Sequence, residues 1–243
     1  MSKQTIITVL VLSGLLLQLL PNESAAQKLI NNQNQSWVSI NTTAKVYKNF
    51  SIIADAHFRR NKFFGDRSFE FLRTAIQYNI DDKFSFAVGY GHMWMAAEDN
   101  TTYKEENRIF EQVQYITKIG NATLLQKVRN EQRWANPYVG KNTFSDRVRL
   151  LNSLTIPILK NKYLPAIALA DEVCVQFGRD IVYNTFDQNR WFVGIKQQVS
   201  KTLSFDLGYM EVLQQKAALN SYDNNHTFRW FFYYLPDFRK KKV

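Results

Sequence analysis

From Thr117 to Thr155 charged residues recur two apart on both sides of a break. Lys127, Arg129, Glu131 and Arg133 lie two apart, and Arg147 and Arg149 resume that spacing after a break containing Pro137 and Gly140. Residues two apart share one face of a strand, whereas on a helix they would scatter around its surface. The other face carries Leu124, Val128, Val148, Leu150, Leu154 and Ile156. A charged ladder backed by an apolar face is the pattern of a membrane barrel, with a polar interior and a lipid-facing exterior. A hairpin closed over residues 134–146 sets Arg133 opposite Arg147 and Glu131 opposite Arg149.

The same alternation runs through the chain in segments of about ten to thirteen residues, the length of outer-membrane strands. Phe50, Ile52, Ala54, Ala56 and Phe58 alternate with Ser51, Asp55, His57 and Arg59. Phe86, Val88 and Tyr90 alternate with Ala87, Gly89 and Gly91, and Ala97 to Lys104 reads as a polar loop. Gly120-Asn121 is a tight two-residue turn. Counting back from it pairs Gln114 with Lys127, Gln112 with Arg129, Arg108 with Arg133 and Val113 with Val128. Later segments continue through Glu172, Cys174, Arg190 and Lys196 to the aromatic run Phe228, Trp230, Phe232 and Tyr234. Phe86, Val88, Leu150, Ile195, Leu207 and Trp230 are expected to face lipid. Short connections near Lys48, Asp82, Gly120, Asn161 and Lys201 alternate with longer ones near Phe64, Asn100, Pro137, Asn184 and Asn220. The expected fold is all-β, an antiparallel up-and-down transmembrane barrel with a charged lumen. The segments number about eleven, and bacterial single-chain barrels are even-numbered. The expectation is therefore twelve strands, with Lys28 to Gln33 as an extra strand or arm, and ten as the alternative.

Residues 1–26 read as a secretory leader: Lys3, an apolar run from Ile6 to Leu20, Pro21, and the small-residue end Ser24-Ala25-Ala26. The run is about fifteen residues, short of the roughly twenty a spanning helix needs. Residues 27–238 then form the barrel and residues 239–243 a basic tail. The net charge is +10 and Cys174 is the single cysteine, so no internal disulfide exists. The positive charges sit within alternating strands and not in a surface tract, which argues against nucleic acid as a partner.

Several stretches carry a family resemblance: Glu106 to Gln112, Arg129-Asn130-Glu131-Gln132-Arg133, Asp171-Glu172-Val173 with Phe177-Gly178, Phe186 to Arg190, and Leu207-Gly208-Tyr209. In order and spacing they resemble the domain-of-unknown-function family 2490, from about Trp37 to Tyr234. The resemblance implies a signal-bearing outer-membrane barrel of Gram-negative bacteria with no assigned activity. A family position often filled by Arg is Lys127 here, which keeps charge but loses bidentate geometry.

The candidate site is the charged interior: Arg108, Lys127, Arg129, Glu131, Arg133, Arg147, Arg149, Glu172 and Arg190. Buried charge must be paired or hydrated. One reading is a structural ladder of Arg–Glu pairs; the other is a path or pocket preferring small anions, as Arg/Lys rings do in anion pores. A lipid-active barrel enzyme is the alternative and needs a His, Ser and acid or amide on one face. His92 lies among Tyr90, Met93, Trp94 and Met95 as an interfacial aromatic, and His57 as an interior hydrogen-bonding group. A secreted soluble β-barrel that binds a ligand is a further alternative. Motifs for metal, phosphate or hydrolase chemistry are absent, so no cofactor is expected. The expected partners are outer-membrane lipid and small anionic solutes.

Overall fold

A computed structural model describes residues 28–96, 102–137, 140–159 and 163–239. The expected leader 1–26, most of the expected 97–104 loop, Asn161 and residues 240–243 of the expected basic tail lie outside the described residues.

The described chain is all strand: β1 (Leu29–Tyr47), β2 (Phe50–Asn61), β3 (Arg67–Asn79), β4 (Phe84–Ala96), β5 (Tyr103–Ile119), β6 (Ala122–Asn136), β7 (Thr143–Pro157), β8 (Ala166–Phe177), β9 (Phe186–Gln198), β10 (Leu203–Gln215) and β11 (Ser221–Tyr234). Each pairs antiparallel with its sequence neighbour, and β1 pairs with β11 in parallel to close the barrel. Among the described residues the count is eleven, not twelve or ten. Parity requires the parallel seam, because an odd meander brings its first and last strands together pointing the same way. Lys28 to Gln33 supplies no separate strand: Leu29 to Gln33 is the start of β1, zipped to Ser221–Asn225. Tyr103 and Lys104 likewise belong to β5 and not to a loop.

Local chemistry fixes the turns. Gly120, at φ 60°, makes the two-residue turn from β5 to β6, and the expected pairs Gln114–Lys127, Gln112–Arg129, Arg108–Arg133 and Val113–Val128 all form. Asp81 accepts hydrogen bonds from the backbone N–H of Lys83 and of Phe84, both 2.7 Å, which hold its carboxyl below the usual range. The β6–β7 register differs by two residues from the expected one. Glu131 faces Arg147, Arg129 faces Arg149 and Arg133 faces Ser145. Pairing runs on to Ala135–Thr143, where the tilted rings of Trp134 and Phe144 meet outside at 5.3 Å, so the loop is shorter than 134–146. A shift of two keeps every side chain on its expected face.

Alternation separates the two faces. Ile76, Val88 and Val128 are 65%, 45% and 47% exposed on the outside, while Arg129, Glu131 and Arg147 inside are 6%, 2% and 4% exposed. Phe86, Leu150, Ile195 and Trp230 are also exposed and Leu207 is half-buried. Aromatic pairs mark both ends of the outer surface. Phe50–Tyr78, Phe84–Tyr115 and Phe205–Phe232 lie near the short turns, with Trp134–Phe144 and Trp191–Tyr209 toward the long loops. One outer row is polar: Gln126 donates to Asn152 at 2.9 Å and Asn189 to Asp171 at 2.8 Å, satisfying these groups among themselves.

Inside, rings lie flat where glycines leave room. A Cβ on Gly89 would come within 2.6 Å of Phe110, and one on Gly194 within 2.6 Å of Phe192. Phe110 packs with Ile53, Ala75 and Ala87; Phe192 packs with Trp37, Ala168, Met210 and Val212. An eleven-stranded barrel is wider than the eight-stranded kind that side chains fill. A cavity of about 1000 Å³ remains, reaching from Lys48, Asn49, Asp81 and Asp82 at the short-turn end to Ser68 and Ala96 near the long loops.

Candidate functional site

The interior charges on β5 to β9 form one connected network centred on Glu131. Its Oε2 accepts from Arg147 Nη2 at 3.0 Å and Arg108 Nη1 at 3.2 Å, and its Oε1 from Arg149 Nη1 at 2.9 Å. Arg129 Nη1 adds an ion pair at 3.5 Å. Other donors of these arginines find further acceptors. Arg108 Nε meets Glu106 at 2.5 Å, and Arg133 clasps the same carboxylate through Nε at 3.0 Å and Nη2 at 3.2 Å. Arg149 and Arg190 share Glu172, at 2.8 Å and 2.7 Å, and Arg147 Nη1 reaches Asp187 at 2.6 Å. Gln112, Gln176 and Gln188 accept from Arg129, Arg133 and Arg190.

Eight of the nine residues expected in the cluster are thus brought together: Arg108, Arg129, Glu131, Arg133, Arg147, Arg149, Glu172 and Arg190. Lys127 lines the cavity but makes no ion pair among the described residues. The sequence pattern did not point to Glu106, Asp187, or the pairs Asp55–Arg73 and Asp206–Arg229. Glu106 stands two before Arg108, so parity alone could have found it. Asp187 could not be found that way. A register shift at Cys174/Val175 turns both Asp187 and Gln188 inward, 4% and 7% exposed, and breaks the alternation locally.

Arginines outside the ion network are held by rings. Arg229 sits 4.1 Å from the Phe192 centroid while pairing with Asp206. Arg59 lies 3.5 Å from the Trp37 ring and 4.1 Å from Phe69, and forms no ion pair among the described residues. Lys196 rests 5.2 Å from the Tyr233 ring. Each interior carboxylate of this set therefore has an arginine, while Arg59, Lys127 and Lys196 pair with no carboxylate among the described residues. The interior carries a positive surplus.

His57, expected to hydrogen-bond inside, instead stands between Phe71 and Phe231 at 5.7 Å and 5.8 Å with its Nε2 buried and unpartnered. Ser39 faces it across the β1–β2 ladder, but the Ser39 hydroxyl accepts from Asn41 at 2.8 Å. On the outside His92 Nδ1 contacts Asn107 Oδ1 at 2.8 Å, and the other group on that oxygen is the Tyr90 hydroxyl, not a serine. Among the described residues no three His, Cys, Asp or Glu groups gather as a metal site.

Beyond the charged interior, Arg239 outside the strands donates to Asp237 at 2.6 Å and holds its carboxyl down to about 2, so the start of the basic tail is ion-paired.

No curated protein matches the chain. Among solved structures, the siderophore receptor PirA from Pseudomonas aeruginosa is similar, with a TM-score of 0.35 and 11% identity over 70% of this chain. The match covers 33% of that receptor. A family model described as a protein of unknown function, DUF2490, matches residues 34–223, the span that contains the network and the motifs from Glu106 to Tyr209. The chain belongs to the DUF2490 family.

Proposed function

We propose that this chain is an outer-membrane barrel of a Gram-negative envelope whose positively charged interior holds or passes small anionic solutes. The observation that carries the reading is the inversion of its two faces, with ion-paired arginines inside and large aliphatic side chains exposed outside. Water would reward the opposite arrangement, whereas a bilayer rewards this one. Every strand has at least 12 residues, enough for a tilted crossing. The aromatic pairs at both ends match interfacial girdles. The surplus cations Arg59, Lys127 and Lys196 line the cavity and give it its anion preference.

The membrane placement is tested by extraction and by a matched pair of arginines. The protein is expected to need detergent for extraction and to migrate differently on a gel before and after heating. Val88→Arg at an outer mid-strand site is expected to cost about 2–4 kcal/mol of refolding stability, against much less for Gln114→Arg in the cavity. Ala87, the neighbouring inward position, is no control: it is fully buried against Ile53, Ala75 and Phe110. Equal costs for the pair would overturn the assignment of faces. The anion preference is tested by reversal potentials across a salt gradient in planar bilayers. A current carried by cations would overturn it; a silent barrel would reduce the reading to a structural one.

A further inference from the structure

We propose that Arg59 and His57, neighbours on the inward face of β2, form a binding site for an organic carboxylate with an apolar body. This rests on the reading of the interior as solute-facing and deepens it. The register sets Phe69, Arg59 and Trp37 directly opposite one another on β3, β2 and β1. The guanidinium is thereby held between two rings, 3.5 Å from one centroid and 4.1 Å from the other. Rings cover the faces of a guanidinium but use none of its N–H donors, which lie in the plane and point outward from its edge. Arg59 Nε is buried without a hydrogen-bond partner. The next inward carboxylate on β2, Asp55, is engaged by Arg73 and by the backbone N–H of Thr42 at 3.2 Å. It is not available to Arg59.

His57 adds a second unused polar atom on the same face. Two strand residues of rise put it about 7 Å from Arg59 along the strand. Its Nε2 has no partner, and its ring is flanked by Phe71 and Phe231. As the Nε2–H tautomer it donates to an oxygen that the fork of Arg59 also holds. A planar fork matches a carboxylate through two parallel hydrogen bonds, and a guanidinium whose plane is already fixed loses little freedom on binding. The apolar half of the ligand is argued from the walls: Phe69, Phe71, Met93 and Met95 line the same cavity. Lys127 and Lys196 are unpaired as well, but each is a point charge without a second ring to orient it. They attract anions without selecting a shape.

The test uses the full barrel in detergent and isothermal titration with benzoate, benzamide, acetate and inorganic phosphate. Benzoate is expected to bind at one site per barrel, at least about tenfold tighter than benzamide, which lacks the charge, or acetate and phosphate, which lack the body. Arg59→Met is expected to abolish that binding and Arg59→Lys to weaken it about tenfold through loss of the fork. His57→Phe should weaken it several-fold. Gel heat-modifiability verifies the fold of each variant; Arg59→Lys carries the test if Arg59→Met does not fold. Unchanged benzoate affinity in the Arg59 variants, equal binding of all four probes, or no benzoate binding would each overturn the site. If the bilayer anion preference persists in that case, the general reading of the interior survives and only this pocket is lost.

Discussion

On the β5–β9 wall each guanidinium meets a carboxylate; on the β1–β3 wall Arg59 meets two aromatic rings and, among the described residues, no carboxylate. Both arrangements keep an arginine charged in a confined space, but they use different parts of it. Ion pairing engages the in-plane donors and ties four arginines to the single carboxylate of Glu131. Stacking covers the faces and leaves the donors at the edge. The first wall is rigid scaffold whose removal should be costly. The second is poised for a ligand, and its removal should cost little.

The largest effect is expected at the node. Glu131→Ala takes the shared carboxylate from Arg108, Arg129, Arg147 and Arg149: the first, third and fourth keep Glu106, Asp187 and Glu172, and Arg129 keeps none among the described residues. Breaking one side of a buried pair costs about 3–5 kcal/mol, less where cavity water reaches the site. Denaturant refolding in detergent measures the loss, and bilayer recordings should show a stronger anion preference as the positive surplus grows. Wild-type stability, or a selectivity moving toward cations, would remove Glu131 from its central role. Arg147→Ala comes second, at about 1.5–3 kcal/mol, since Glu131 keeps three arginines while Asp187 loses its ion-pair partner. A loss exceeding that of Glu131→Ala would move the node to Asp187. Trp37→Phe is expected to cost about 1 kcal/mol: the stacking surface stays, but the Nε1 hydrogen bond to Gln35 at 2.9 Å goes. The smallest change is expected for Arg59→Met, within about 1 kcal/mol in either direction, because no carboxylate is stranded and apolar replacement of a buried charge is often neutral. If it destabilises as much as Glu131→Ala, the distinction between the two walls fails.

Much of the paired wall is legible in the sequence. Parity along β5 to β8 assigns every arginine there to the inner face, and the Gly120-Asn121 turn fixes the β5–β6 register without ambiguity. The β6–β7 register is not legible, because the break between Trp134 and Phe144 has no turn that dictates its length. Even so, a slip of two leaves the faces intact, and so the cluster holds under either pairing. Asp187 is hidden by a bulge, and the strand count by an expectation of even numbers that a parallel seam evades. The stacked wall is out of reach for a different reason. Trp37, Arg59 and Phe69 come from three strands, and only their joint register reveals that they form one stack.

The parallel seam also governs the order in which the barrel can close. Partners across it, such as Asn31 and Asp223, are 192 positions apart, whereas every other neighbouring pair of strands is joined by a single connection. The entropy of loop closure grows with length, and parallel ladders are slightly weaker per residue than antiparallel ones. β1 is therefore made first and zipped last. Until β11 arrives, one edge of β1 stands unpaired, the kind of edge that recruits other chains. Its opening stretch Asn31-Asn32-Gln33-Asn34-Gln35 suits that wait, offering a strand that is polar and poor in apolar anchors. After closure the chain beyond β11 fastens the far end, with Lys45 N–H donating to Pro236 and Phe238 N–H to Lys45, both at 2.9 Å. The seam is expected to be the last part of the wall to assemble and, in amide exchange, the first to open.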